Sequence, residues 1–201
     1  MGAVNHTKTR TLFLAASASL VLLTGACSSD TDSSSSATTT SASAEAAPTG
    51  TCPTAAPDSA GTPEWTLAGD TGSIAVVGST DTAAPAVTVE APFSVAETQV
   101  KTLTVGDGPV IADDAEVSVC YLGVNGRDGS TFDSSYERGA PVDFPLNGVV
   151  AGFQKAIAGQ TVGSTVAVAV TSADGYASGN PAAGIEPGDS LIFAIAILSA
   201  S

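Results

Sequence analysis

Histidine is almost missing from this chain: among 201 residues there is one, His6, close to the N-terminus. With no other imidazole and three cysteines, a metal site has almost no nitrogen or sulfur ligands to draw on. Positive charge is also scarce. Six Lys and Arg stand against twenty Asp and Glu, which argues against nucleic acid as a partner, because phosphate backbones are held by clustered cations. Aromatic residues make up 5% and charged residues 13%, so a core has to be built from aliphatic side chains and is modest. What is abundant is Ala, Ser, Thr, Gly and Val, in a length that fits one compact domain, or two only if both are small.

The N-terminus has the layout of an export signal. Lys8 and Arg10 give a positive start, and residues 11–23 form an apolar run containing Leu12, Phe13, Leu14 and Leu20 to Leu23, short for a membrane-spanning helix. It closes at Leu23-Thr24-Gly25-Ala26-Cys27, where small residues precede a cysteine, and this resembles a bacterial lipobox. On that reading residues 1–26 are a lipoprotein-type signal peptide and Cys27 becomes a lipid-modified N-terminus on the outer face of the cell membrane. The other reading is an ordinary secretory signal cleaved near Ala26, with Cys27 incidental. Once the signal is removed, four basic residues face twenty acidic ones, a net charge of −16, which reads as solubility and self-repulsion.

Residues 27–60 are rich in Ser, Thr, Ala and Pro, with almost no large apolar side chain. Such a stretch cannot bury enough surface to offset its ordering entropy and is expected to be a disordered tether, whose reach is on the order of 100 Å for about 30 residues. If Cys27 carries lipid, Cys52 and Cys120 remain as an even pair in an oxidising compartment. A disulfide between them would pin the end of the tether to the domain, although spacing alone does not decide the geometry.

Residues 61–100 hold short β-prone runs, Ile74-Ala75-Val76-Val77 and Ala86-Val87-Thr88-Val89, and are expected to be a β-rich extension adding edge strands to the C-terminal domain. Trp65 reads as packing rather than a ligand platform. Residues 101–201 supply the domain proper. In VSVCYLGVNGRDGSTFDSS, residues 117–135, Val117, Val119 and Tyr121 share one face of a strand, Asn125-Gly126 and Asp128-Gly129 reverse the chain, and Thr131-Phe132-Asp133 resumes an extended run. Residues 150–158 place Phe153, Ala156 and Ile157 at helical spacing, with Gly159 positioned to end the helix. Val166, Val168 and Val170 alternate in a further strand, and a last strand puts Leu191, Phe193, Ile195 and Ile197 on one face. Strands around one short helix make an α+β domain.

Six ordered blocks, VSVCYLG, DGSTFDSS, RGAPVDFPL, VVAGFQKAIAGQTVG, DGYASG and IEPGDSLIFAI, together resemble the FKBP-type peptidyl-prolyl cis-trans isomerases over roughly residues 102–198. The resemblance implies a curved antiparallel β-sheet wrapped around one short α-helix, with a hydrophobic pocket between them. It carries the pocket over to Tyr121, Phe132, Asp133, Val149, Val150, Phe153, Tyr176 and Phe193 as catalytic residues, with Val142, Ile185 and Arg138 at the substrate. Phe153 would be the floor, where the family often has tryptophan, with Tyr121, Phe132, Val149 and Phe193 as walls. The Val150 N–H and the Tyr176 hydroxyl would hold substrate carbonyls, while Asp133 would order the polar edge and pair with Arg138. No metal or cofactor is implied, the substrates are proline-containing polypeptides, and a monomer is expected. Two functions fit: an exported, membrane-tethered prolyl isomerase assisting protein folding, or an FKBP-like binding or chaperone module of the cell envelope that grips proline segments with little turnover.

Overall fold

The computed structural model describes residues 50–57 and 61–201. The expected signal peptide, Cys27 and most of the expected tether lie outside the described residues. The described chain forms nine strands: β1 (Trp65–Ala68), β2 (Thr71–Val77), β3 (Ala86–Ser94), β4 (Gln99–Thr104), β5 (Glu116–Asn125), β6 (Thr131–Ser134), β7 (Val142–Pro145), β8 (Thr165–Val170) and β9 (Leu191–Ala200). The two α-helices are short, α1 (Ser135–Arg138) and α2 (Ala151–Ile157). Among the described residues no helix is long and apolar enough to cross a membrane.

The larger sheet runs β4-β8-β9-β5-β6, with β7 pairing the first half of β5 while β6 pairs its second half. Every pairing is antiparallel, and α2 crosses the concave face of this curved sheet. The two-residue period explains the core on that face. Val117 and Val119 of β5, Val166, Val168 and Val170 of β8, and Leu191, Phe193, Ile195 and Ile197 of β9 meet Phe153, Ala156 and Ile157 of α2 in one cluster. The helix lies so close that a Cβ on Gly152 would come within 2.2 Å of Val170 Cγ1, so only glycine allows this approach. It ends with Ala158 as cap and Gly159 at φ +79°, a left-handed residue just past the helix.

The N-terminal extension differs from its expected form. Strands β1, β2 and β3 add no edge to the larger sheet but pair among themselves in a three-stranded sheet, β1-β2-β3. That sheet covers the outer face of the larger one: Ile74, Val76, Phe93 and Val95 pack on Val124, Ala167, Ala169, Ile192 and Ala194, with Trp65 partly buried at the margin. The physical reason lies in β8 and β9, whose outward positions are also apolar and would otherwise be exposed.

Part of the stretch expected to be a tether is ordered. Residues 50–57 lie against the larger sheet, where Cys52 is 2% exposed and bonded to Cys120 in a disulfide. The Ala84 N–H donates to the carbonyl of Ala55 at 3.1 Å, holding the same segment from the other side. Cys120 points away from α2 because it alternates with Val119 and Tyr121, so the disulfide sits with Tyr136 in a small cluster on the outer face of β5.

Candidate active site

Tyr121 stands at the open end of the concave core, where α2 leaves room beyond Phe153. Phe153 is the hub of an aromatic cluster: its ring meets Phe193 at 5.1 Å, Phe144 at 5.4 Å and Tyr121 at 5.7 Å between centroids, all edge-to-face. Phe132 in turn meets Phe193 at 5.5 Å. Edge-to-face pairs align the positive rim of one ring with the negative face of another, which fixes ring orientation as well as burying surface. Phe132 reaches this position by lying over Gly123 of the neighbouring strand, where a Cβ would come within 2.6 Å of its ring.

These rings enclose a cavity of about 370 Å³, within the usual range for a site that buries a small ligand or a few side chains. Its lining includes Tyr121, Phe132, Asp133, Val142, Val149, Val150, Phe153, Tyr176 and Phe193. The structure thus brings together all eight residues proposed as catalytic, and Val142 with them. Two lining residues, Phe144 and Gly148, are additional to those expected. Phe144 could have been found from the strand period, since in Val142-Asp143-Phe144 the first and third side chains share a face, as they do in β7.

Two of the expected substrate contacts, Ile185 and Arg138, are not among the lining residues. Ile185 is 2% exposed and belongs to the core cluster, so it supports the site without lining the cavity. Arg138 is likewise not a lining residue. Its guanidinium donates to Asp133 Oδ1 at 2.6 Å and to the Tyr121 hydroxyl at 3.4 Å, and so acts on the cavity through them. Arg138 reaches back to Asp133 because α1 turns the chain immediately after β6. That one-turn helix is capped by the Ser134 hydroxyl, which accepts from the Glu137 N–H at 3.3 Å, and closed by Gly139 in the left-handed region.

At the polar edge the Tyr121 hydroxyl donates to the other oxygen of Asp133. Burial, then the hydrogen bond to Asp133, pushes the Tyr121 phenol up to about 12. Burial works to raise Asp133, but the hydrogen bonds from Tyr121 and Arg138 outweigh it and hold the carboxyl below the ordinary carboxylate range. The proton therefore stays on the tyrosine at neutral pH, and the carboxylate is occupied as an acceptor rather than free as a base. On the opposite side, Val150 is the N-cap residue of α2, extended at φ −61° and ψ 145°. Its N–H has no acceptor among the described residues, and neither does the half-buried Tyr176 hydroxyl.

A larger cavity, about 470 Å³, lies on the other face of β5, between residues 54–57, the start of β3, Leu122 and Tyr136. It has no aromatic cluster, and residues 58–60, which continue from Pro57, lie outside the described residues.

A family model described as FKBP-type peptidyl-prolyl cis-trans isomerase matches residues 97–198, beginning just before β4 and ending in β9. The chain is 38% identical over 101 residues to a probable FK506-binding protein of Corynebacterium glutamicum, a match covering 49% of this chain and 82% of that protein. It is 35% identical over 101 residues to an FK506-binding protein of Streptomyces anulatus, with the same coverage, 49% and 82%. A crystal structure of a peptidyl-prolyl cis-trans isomerase from Pseudomonas syringae aligns with a TM-score of 0.47 at 30% identity, over 52% of this chain and 75% of that one. Half of this chain, from residue 97 onward, carries both that sequence pattern and the aromatic cavity, and the chain belongs to the FKBP-type peptidyl-prolyl cis-trans isomerase family.

Proposed function

We propose that the cavity around Phe153 binds proline-containing segments of exported polypeptides and accelerates rotation about the bond preceding proline, with the protein held to the outer face of the cell membrane by lipid on Cys27. The observation that carries the catalytic part is the combination of an apolar aromatic enclosure with two donors at its rim that have no partner among the described residues. Rotation about an X-Pro bond breaks no covalent bond. Its barrier, about 18–20 kcal/mol, is the loss of amide resonance, and uncatalysed exchange takes tens to hundreds of seconds.

A site that binds the twisted amide better than either planar form lowers that barrier with no nucleophile. In this cavity the proline ring would rest on Phe153, walled by Tyr121, Phe132, Val149 and Phe193. The Val150 N–H and the Tyr176 hydroxyl would hold flanking carbonyls of the substrate, so that one end of the bond is fixed while the other turns. Aromatic walls disfavour the more polar planar amide relative to the twisted one. Asp133, engaged by Tyr121 and Arg138, orders the polar edge and takes no proton. Phe144 stands against Phe153 and supplies an aromatic wall beside Val142.

The export part rests on the sequence alone. With residues 50–57 held by the domain, a tether of residues 28–49 would have a maximal reach of roughly 75 Å for 22 residues. That is enough to let the cavity meet chains emerging near a membrane surface.

The test is acceleration of a short proline peptide and of a proline-limited refolding protein by the purified full-length chain, with Asp133→Leu beside it. Acceleration by the natural chain, reduced about tenfold or more in the variant through loss of the Tyr121 and Arg138 partners, is the expected result. A folded chain that accelerates neither substrate would refute the catalytic reading.

A further inference from the structure

Tyr176 sits in a loop without regular secondary structure, yet the proposed chemistry asks its hydroxyl to hold a carbonyl in place. A misplacement of about 1 Å in such a contact can cost on the order of a hundredfold in rate. Backbone hydrogen bonds from Gly175 to Thr171 and Ser172 and from Gly179 to Tyr176 shape the loop, and Asp174, two residues before the tyrosine, ties it to its neighbours. Its carbonyl accepts from the Gly152 N–H at 2.8 Å, next to Phe153 on α2, and its own N–H donates to Thr171 Oγ1 at 3.2 Å. One carboxylate oxygen, Oδ2, accepts from Lys155 Nζ of α2 at 2.7 Å and from Thr98 Oγ1 at 2.6 Å.

Thr98 is the last residue before β4 and lies in the connection from the three-stranded sheet. The Thr98 hydroxyl also accepts from the Thr171 N–H at 3.2 Å, so it bonds both ends of the short turn that leads to Tyr176. Further up the same connection, the Val95 N–H donates to Ser190 Oγ at 3.3 Å and the Phe93 N–H to the Gly126 carbonyl at 2.8 Å. Residues 93–98 are thereby tied to the larger sheet at three points, the last of them at the Tyr176 loop.

We infer that Asp174 is the positioning residue for Tyr176, and that Thr98 makes the N-terminal three-stranded sheet part of the working isomerase by holding Asp174 from outside the cavity. Neither residue lines the cavity, and both act through the tyrosine. The Lys155 contact is the weaker of the two holds, since that side chain is 56% exposed and its pairing is screened by salt. The Thr98 contact is a charge-assisted hydrogen bond with both partners half-buried, and rotor freedom is already lost at a β-branched residue.

The inference rests on the proposed role of the Tyr176 hydroxyl, and the experiment separates the two. In the full-length chain, kcat/KM for a proline peptide is measured for Thr98→Val, Thr98→Ser, Asp174→Ala and Tyr176→Phe, and for the first and third combined with Tyr176→Phe. The expected result is a loss of about fivefold in Thr98→Val and in Asp174→Ala, with Thr98→Ser within about twofold of the natural chain because it keeps the donor. In the Tyr176→Phe background the same two changes should cost less than about twofold, since the hydroxyl they position is gone. Full additivity on top of a Tyr176→Phe defect overturns the inference alone, and Tyr176→Phe with full activity overturns the role of Tyr176 and the inference with it. Should Asp174→Ala fail to fold, Thr98→Val and its serine rescue decide the matter, because a valine of nearly the same shape removes little but the hydroxyl.

Discussion

Breaking the Cys52–Cys120 disulfide should cost this chain a large part of its stability, and the size of the loss is set by the length of the loop it closes. The two cysteines are 68 residues apart. Confining a loop of that length in the unfolded chain removes entropy worth about 4 kcal/mol at 25 °C, against a total of about 5–15 kcal/mol for an ordinary domain. Both sulfurs are buried, with Cys52 at 2% and Cys120 at 1% exposed, so replacement should be by alanine at both positions to avoid burying unpaired polar groups. Urea unfolding of Cys52→Ala/Cys120→Ala should show a stability loss of about 4 kcal/mol and a melting temperature lower by roughly 10 °C. The denaturant slope should rise, because the unlinked unfolded chain exposes more surface. Isomerisation measured well below the transition should survive, since Tyr121 keeps its place through pairing of β5 with β9. A loss under about 1 kcal/mol, below the range typical of native disulfides, would refute this account of how residues 50–57 are held.

Asp189 offers a test that depends on pH. It is 8% exposed and accepts from Asn125 Nδ2 and the Glu186 N–H, each at 2.8 Å, and from Arg127. Burial works to raise its carboxyl, but the bonds from Asn125, Glu186 and Arg127 prevail and hold it below the ordinary value. A lowered folded-state pKa means that its contribution is present above the unfolded carboxylate pKa and is lost as pH falls through the folded one. Asp189→Ala should therefore cost about 2 kcal/mol at pH 7, and the difference from the natural chain should narrow in acid; a constant difference across that window would contradict the reading. For the lipid anchor, fatty-acid labelling of the chain in a bacterial host should appear and be lost in Cys27→Ser. Labelling that persists in the variant, or none in the natural chain, would leave an ordinary secretory signal as the account of residues 1–26.

The concave half of the fold is legible in the sequence because each of its elements buries one face and shows the period of that face. Val117, Val119 and Tyr121 on β5, and Leu191, Phe193, Ile195 and Ile197 on β9, read as single faces, and the structure places each set toward α2. The second sheet is not legible as a separate layer for the converse reason. Alternation identifies one buried face, and Ala167, Ala169, Ala194 and Ala196 are small enough to suit either solvent or a covered surface. The signal is nonetheless there, since a strand reading Leu-Ile-Phe-Ala-Ile-Ala-Ile has no polar face at all, which is the pattern of a strand buried on both sides. Helix α1 escapes a periodicity reading because four residues carry no period. Its Ser134-Ser135-Tyr136-Glu137 start, with glycine at position 139, is a serine-capped turn with a left-handed stop, and the structure shows both devices in use. Residues 50–57 cannot be placed from composition, because what orders them is a disulfide and a backbone hydrogen bond from Ala84, not a periodic buried face.

The placement of the few cations connects this fold to its site. After residue 27 the chain has four, Lys101, Arg127, Arg138 and Lys155. Lys101 has no ion-pair partner among the described residues, and the other three each bond a carboxylate: Asp133 in the cavity lining, Asp174 two residues before Tyr176, and Asp189 ahead of β9. Arg138 holds Asp133 at the polar edge, Lys155 holds Asp174 ahead of Tyr176, and Arg127 joins the β5–β6 turn to Asp189 and to the Gly184 carbonyl, beside Ile185. All three side chains are more than a third exposed, so as sources of stability they are worth little, about 0–1 kcal/mol each and less in salt. Their value has to lie in geometry. A cavity that works by shape and by two rim donors needs its loops fixed to within a fraction of an ångström. In a chain this acidic, directed bonds from a cation to a carboxylate do that at positions where an aliphatic core cannot reach.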